Sequence, residues 1–276
     1  MKRAQIWSAD NQLASGVNDI IESAENWRLW VHLAQLDMRA RYRRTIIGPM
    51  WTTLSAVILI LALGVVYSAL WHVETRNFLP YFAAGYTTWL FFTTTLTEGA
   101  TAFFSNASII TSIRLPISIH VFRLIFRNIL VFLHIAVIYV LVVIWYQAFP
   151  NFMALLALPV GFLLFIVNLF WIGLLLATVC SRYRDVNQLL TNFIQIAFFI
   201  TPIFWQVEIL DSKPEIKFLL ADLNPIYHLI ELIRAPLIGR VPSLLTFGYT
   251  SSMAVIGLGF SIYAFSRYRG RIAFWV

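Results

Sequence analysis

Six stretches of this chain are long and apolar enough to cross a bilayer, and each limits the fold in the same way. They lie near Met50–Trp71, Pro80–Phe104, Arg127–Tyr146, Phe152–Cys180, Asn187–Val207 and Leu244–Ser266. A helix needs about 20 apolar residues to span about 30 Å of hydrocarbon. Hydrocarbon offers the backbone no hydrogen-bond partner, so a crossing segment satisfies its own N–H and C=O groups as a helix. The expected fold is therefore an all-α integral membrane protein with six transmembrane helices. Pro159 and Asn168 in the fourth stretch predict a tilt or kink there. Of the 276 residues, 60% are hydrophobic and only 12% charged, whereas a soluble domain is about a quarter charged.

Charge placement orients the spans. The chain has 20 Lys+Arg against 13 Asp+Glu, a formal net charge of +7. In a soluble protein that balance would suggest nucleic acid; here cytoplasmic basic loops explain it more simply. With the N-terminus inside, fifteen basic residues fall on the cytoplasmic side and five outside, namely Arg76, Lys213, Lys217, Arg234 and Arg240. Both termini are accordingly expected in the cytoplasm. Residues 1–35 show no short apolar core followed by a cleavage site, so no cleaved signal peptide is expected. The chain reads as one transmembrane domain over 1–276: a cytoplasmic segment at 1–48, a six-span bundle at 49–266 and a cytoplasmic tail at 267–276.

The densest basic cluster, Arg39, Arg41, Arg43 and Arg44, stands just before Gly48-Pro49 and the first span. There it anchors the chain and attracts anionic headgroups. Upstream, Val17–Leu36 places Ile20, Ala24, Trp27, Val31 and Ala34 at helical steps, with Asn18, Glu22, Glu25 and Arg28 facing elsewhere. This predicts an amphipathic interface helix, lying in the headgroup layer, where Trp27 and Trp30 fit, or packed on another protein surface. On the outer side, Asn224–Gly239 reads NPIYHLIELIRAPLIG. Asn224 is placed to cap a helix, Pro225 suits its first turn, and Ile226, Leu229, Ile230, Ile233 and Leu237 form an apolar stripe. Short extracytoplasmic re-entrant helices are expected between spans five and six, where protein or a cavity must surround them.

Catalytic and cofactor signals are sparse. ATP binding needs a glycine-rich loop with Lys and Ser/Thr, and none of the three lysines, Lys2, Lys213 and Lys217, follows one. If ATP powers this protein, another polypeptide holds it. The lone Cys180 allows no intramolecular disulfide or cysteine-rich metal site. The five histidines, His32, His72, His120, His134 and His228, form no pair with metal-ligand spacing. His134 falls inside a span, as a hydrogen-bonded structural group or a functional one. Glu98, the only carboxylate within a predicted span, sits about 27 Å along the helix from Pro80. It is expected to reach water or an arginine at the cytoplasmic surface, with a gating role as the alternative.

Two features invite functional readings. Aromatic residues make up 16% of the chain, and interfacial belts account for many of them. Flat rings also suit the apolar faces of sugars, so Tyr67, Trp71, Phe198, Phe199, Phe204 and Trp205 are candidate wall residues of a pathway. The cytoplasmic loop SNASIITSIRLPISIH (Ser105–His120) is too polar to span. Ile109, Ile110, Ile113 and Leu115 are spaced to pack a short helix before Pro116 breaks it. Such a helix, bearing Arg114, either covers helix ends or fits the groove of a partner.

Five segments together resemble the permease subunit of the type-two ABC exporter family, especially its polysaccharide-exporting branch. They are LDMRARYRRTIIGPMW at Leu36–Trp51, SNASIITSIRLPISIHVFRLIFRN at Ser105–Asn128, SRYRDVNQLL at Ser181–Leu190, TPIFW at Thr201–Trp205 and the Asn224–Gly239 segment. They run in the family's order, and the resemblance covers nearly the whole chain. It implies a homodimer joined to two copies of a separate ATP-binding subunit, which carries ATP and magnesium, with no cofactor in this chain. It further implies coupling to the ATPase through Ser108, Ile109, Ile110, Arg114 and Pro116, helped by Arg182, Arg184 and Asp185. Spans one and five would frame a central channel for a lipid-linked O-antigen, capsular polysaccharide or teichoic acid in the bacterial inner membrane. No catalytic residue is implied. Two other readings compete: a small-molecule or lipid exporter of the same family, and a multispan enzyme acting on lipid-linked sugars. An enzyme should gather acids or histidines at one face, and Glu208, Asp211, Glu215, Asp222, Glu231 and His228 show no clear grouping.

Overall fold

The computed structural model of the chain describes residues 9–43 and 50–276. Arg44, Gly48, Pro49, Lys2 and Arg3, which enter the sequence reading, lie outside the described residues. The helices, in order, are α1 (Ala9–Glu25), α2 (Trp27–Tyr42), α3 (Met50–Leu70), α4 (Thr75–Thr101), the short α5 (Ala107–Ser112), α6 (Ile119–Tyr146), α7 (Phe152–Leu155), α8 (Leu158–Arg182), α9 (Val186–Ile200), α10 (Pro214–Lys217), α11 (Pro225–Leu237) and α12 (Leu244–Trp275). The described residues contain no strand.

Four helical stretches, Trp51–Leu70, Ile119–Tyr146, Phe152–Arg182 and Leu244–Trp275, are long and apolar enough to cross a membrane. The two remaining predicted spans differ for physical reasons. At 27 residues α4 is about 40 Å long, but a series of threonines lowers its hydropathy. It is the central helix, packed against α3, α6, α8, α9 and α11. Protein rather than lipid covers most of it, with Phe78 to Trp89 buried throughout. Its hydroxyls are satisfied within the helix: Thr87 donates to the Ala83 carbonyl, Thr88 to Ala84 and Thr93 to Trp89, so their burial leaves no orphan donor. Where α4 meets α8, Gly99 lies against Gly173, which lets the two backbones approach closely.

The predicted fifth span ends early. At 15 residues α9 is about 22 Å long, short of the hydrocarbon thickness. Thr201 precedes Pro202 and leaves the helical region at φ −78°, ψ 137°, as a residue before proline tends to do. Other boundaries shift as well. The third predicted span begins at Ile119 rather than near Arg127, and the second begins at Thr75 with Pro80 inside its first turns. Pro159 starts α8 instead of kinking its middle. The single amphipathic helix expected over Val17–Leu36 is two helices, broken at Asn26, whose N–H and side-chain amide both donate to the Glu22 carbonyl.

Packing gathers α1, α2, α5, the 181–185 turn and the last turns of α12 at one arginine-rich end. The far end holds the 201–223 connection and α11. Asn224 caps α11, accepting from the N–H groups of Ile226 and Tyr227, and Pro225 occupies the first turn, as the sequence predicts. The stripe Ile226, Leu229, Ile230 and Ile233 is buried, and so are Leu232, Ala235 and Pro236 on the other faces. Thus α11 is enclosed by α4, α8 and α12 rather than laid on a surface.

Candidate functional site

At the arginine-rich end, α2, α4 and α6 are joined by one chain of charges. Arg123 donates through Nε to Asp37 at 2.7 Å and again through Nη2. Arg127 bridges Asp37, at 3.0 Å, and Glu98, at 2.6 Å, and Arg41 also pairs with Glu98. Glu98 therefore reaches arginines, as expected of it. Burial alone would raise the Asp37 carboxyl, but the hydrogen bond and charge of Arg123, with the charge of Arg127, hold it below the usual carboxylate range. A polar cavity of about 260 Å³ lies among these groups, Asn106 and His120. The remaining α2 anchors divide by face. Trp27 is exposed, beside Arg28. Trp30 packs on Phe122 and Phe126 of α6 and donates to the Ser23 carbonyl. Arg39 and Arg43 face outward.

Beside this hub, α5 projects from the body. Ser108 and Arg114 are exposed, Ile109 and Ile110 half-buried, and Pro116 buried where the chain returns to α6. Arg182, Arg184 and Asp185 are exposed on the neighbouring turn. The guanidinium of Arg184 lies 5.7 Å over the Phe104 ring and that of Arg182 5.2 Å over Trp275. The 182–185 turn thus touches Phe104, just ahead of α5, and the end of α12. Behind α5 the side chain of Asp19, fully buried in α1, accepts from the backbone N–H groups of Ile117 and Ser118, both at 2.9 Å. It also accepts from the Ser118 hydroxyl at 2.7 Å and from Arg269 Nε of α12 at 2.6 Å.

The six aromatic candidates form one cluster between α3, α9 and the TPIFW segment. Tyr67 stacks on Trp71 and on Phe204, each at 5.0 Å between centroids. Phe198 lies 5.2 Å from Phe204 and 5.5 Å from Phe199, and Trp205 Nε1 donates to the Phe199 carbonyl. Exposure separates them: Phe204 is 8% exposed and Phe199 64%. Phe199 and its neighbours Leu189, Phe193 and Ile196 make an exposed apolar face of α9, as Ile58, Leu61 and Val65 do on α3.

The TPIFW segment is held from behind. Arg234 of α11, counted from sequence simply as an outer cation, is the largest fully buried side chain. It donates to the Pro202 carbonyl and pairs with Glu231, and its guanidinium sits 4.3 Å over the Tyr81 ring. The Tyr81 hydroxyl donates to the Trp205 carbonyl at 3.1 Å, and Asn224 Nδ2 donates to the Thr201 hydroxyl at 3.0 Å. His134 donates through Nδ1–H to the Leu130 carbonyl at 2.7 Å on an exposed face of α6. Among the described residues no group of three His, Cys, Asp or Glu side chains converges as a metal site.

Asp19, Asp37, Arg123, Arg127 and Arg234 were not singled out as site residues from the sequence. Arg123 and Arg127 carried a signal, since a four-residue step puts two cations on one helix face. Asp19 carried none, because its partners lie about a hundred and two hundred and fifty positions away. Residues 28–238 match the family described as ABC-2 type transporter. The chain is 23% identical over 207 residues to the "O-antigen export system permease protein RfbA" of Myxococcus xanthus, covering 75% of this chain and 79% of the relative. It is 21% identical over 185 residues to the protein of the same name from Klebsiella pneumoniae, covering 67% and 71%.

Proposed function

We propose, from the premise that this chain belongs to the ABC-2 type transporter family, that it is the channel-forming permease of an exporter for a lipid-linked polysaccharide. The match over residues 28–238 carries this reading, and the relatives' printed names suggest the O-antigen class of substrate. Two copies of the chain pair with two copies of an ATP-binding subunit that carries ATP and magnesium. The six predicted stretches cross the bacterial inner membrane with both termini cytoplasmic. In this arrangement α4 crosses inside a protein sheath. The short α9 crosses together with the TPIFW segment, and α11 dips into the outer leaflet, where its packing against α4, α8 and α12 meets the demand on re-entrant backbone.

The exposed apolar faces of α3 and α9 line the meeting of two copies, and the Tyr67–Trp71–Phe204 stack with Phe198, Phe199 and Trp205 backs the wall. Rings without fixed hydrogen-bond demands let a sugar polymer slide past. At the arginine-rich end, Ser108–Pro116 and Arg182–Asp185 form the surface that receives the ATP-binding subunit. A small-molecule exporter of the same family shares every part except the substrate. Arg114→Ala tests the coupling assignment in the full complex. Since Arg114 is exposed, the complex should assemble and hydrolyse ATP while polysaccharide export falls. Unchanged export removes Arg114 from the coupling surface, and ATP hydrolysis stimulated by small amphiphiles but not by lipid-linked polysaccharide reassigns the substrate.

A further inference from the structure

The Asp19 carboxylate joins three elements that are far apart in sequence. Its two oxygens receive four donors: the N–H groups of Ile117 and Ser118 just ahead of α6, the Ser118 hydroxyl, and Arg269 of α12. The first N–H groups of a helix lack partners within it and carry the positive end of its dipole, so a buried carboxylate there makes strong charge-assisted bonds. Ser23, one turn further along α1, shares a 2.7 Å hydrogen bond with the same Ser118 hydroxyl. Arg269 extends the joint to Ser15 at 3.1 Å, and Arg267 of α12 donates to Gln12 of α1 at 2.7 Å. Residues 116–118 are the segment through which α5 rejoins the body, so the exposed lever is clamped at its root.

We propose that Asp19 is a positioning residue for energy coupling: it locks the root of α5 to α1 and α12, so that displacement of α5 moves these helices together with α6. Without the clamp, the covalent connections would deliver the displacement to α4 and α6, and only packing contacts would carry it to α1 and α12. The proposal rests on the reading of α5 as the contact for the ATP-binding subunit.

The test uses the complete transporter, measuring ATP hydrolysed and polysaccharide exported per complex. Asp19→Asn and Arg269→Gln should both co-purify with the ATP-binding subunit and retain ATP hydrolysis. Export per ATP should fall about tenfold in D19N, equivalent to about 1.4 kcal/mol of coupling. It should fall less in R269Q, which leaves the bonds from Ile117 and Ser118 in place. Asp19→Glu, which keeps the charge, should recover part of the ratio. If D19N does not accumulate, R269Q decides alone. A wild-type ratio in the accumulating variants, or a loss of export matched by an equal loss of ATP hydrolysis, overturns the proposal. Cross-linking from S108C to the ATP-binding subunit separates the two readings. A lowered ratio in D19N without that cross-link supports the clamp and refutes the docking of α5.

Discussion

Glu231→Gln strands a guanidinium in the far end of the bundle. The Arg234 side chain is 0% exposed and Glu231 15%, so Arg234 cannot turn to water when its counter-charge is removed. Taking one partner from a fully buried ion pair costs about 3–5 kcal/mol. Three features reduce that figure here. Glu231 is partly solvated, the Pro202 carbonyl still accepts from Arg234, and the Tyr81 ring still faces the cation. The amide oxygen of Gln also keeps one acceptor, so the expected loss is about 2–3 kcal/mol. At about 2–4 °C per kcal/mol for a chain of this size, the midpoint of thermal unfolding drops by about 4–12 °C. Arg234→Met added to Glu231→Gln removes the stranded charge, so the double variant should be more stable than Glu231→Gln alone. Thermal unfolding of the three variants in lipid nanodiscs, followed by tryptophan fluorescence, measures these differences. A loss below about 1 kcal/mol for Glu231→Gln, or simple additivity of the two substitutions, refutes the view that Glu231 neutralises a buried guanidinium, which in turn holds α11 to the Pro202 carbonyl of the TPIFW segment.

Two further outcomes are expected. Phe199→Ala removes an exposed ring, so stability should change by less than about 0.5 kcal/mol while polymer export slows; Phe204→Ala opens the buried stack at a cost of about 3 kcal/mol or more and should lower protein amount. Equal losses of protein in both would assign Phe199 to packing instead of the wall. The Asp37 carboxyl is held down by burial-opposing contacts with Arg123 and Arg127, so its contribution is fully present above the unfolded value of about 3.9 and disappears as pH falls through the lower folded value. Hydrogen exchange across α2 should therefore be unchanged from neutral to mildly acidic pH in the native protein. Asp37→Asn should accelerate it already at pH 7, and equal protection in the two proteins would show that the charges do not hold α2 to α6.

Sequence alone determined the elements that follow from local chemistry. A long apolar run has one backbone solution in lipid, so α3, α6, α8 and α12 were legible as elements, although α6 starts eight residues before Arg127 and α12 runs nine residues past Ser266. Asn224-Pro225 announces a helix start wherever it is placed, because cap and ring act on their own turn. The family was also legible, since its five motifs are written in order. The candidate rings were found from residue type near span ends, yet type could not say that Phe204 is sealed while Phe199 is open. That distinction depends on where α9 stops and TPIFW turns back under α11.

Tertiary structure decided the rest wherever a polar group found its partner far away. Val17–Leu36 was read by its apolar stripe, but Ala24 and Trp27 are exposed while Asp19 and Ser23 are buried. Periodicity assigns apolar residues to the inner face because it treats the interior as uniformly apolar. Here the surface beneath α1 presents the N–H groups of Ile117 and Ser118, just ahead of α6, and an arginine of α12, so carboxylate and hydroxyl face inward. The same holds for Arg234 and for the threonines of α4: what a polar side chain costs in the interior depends on the donor or acceptor that folding brings to it.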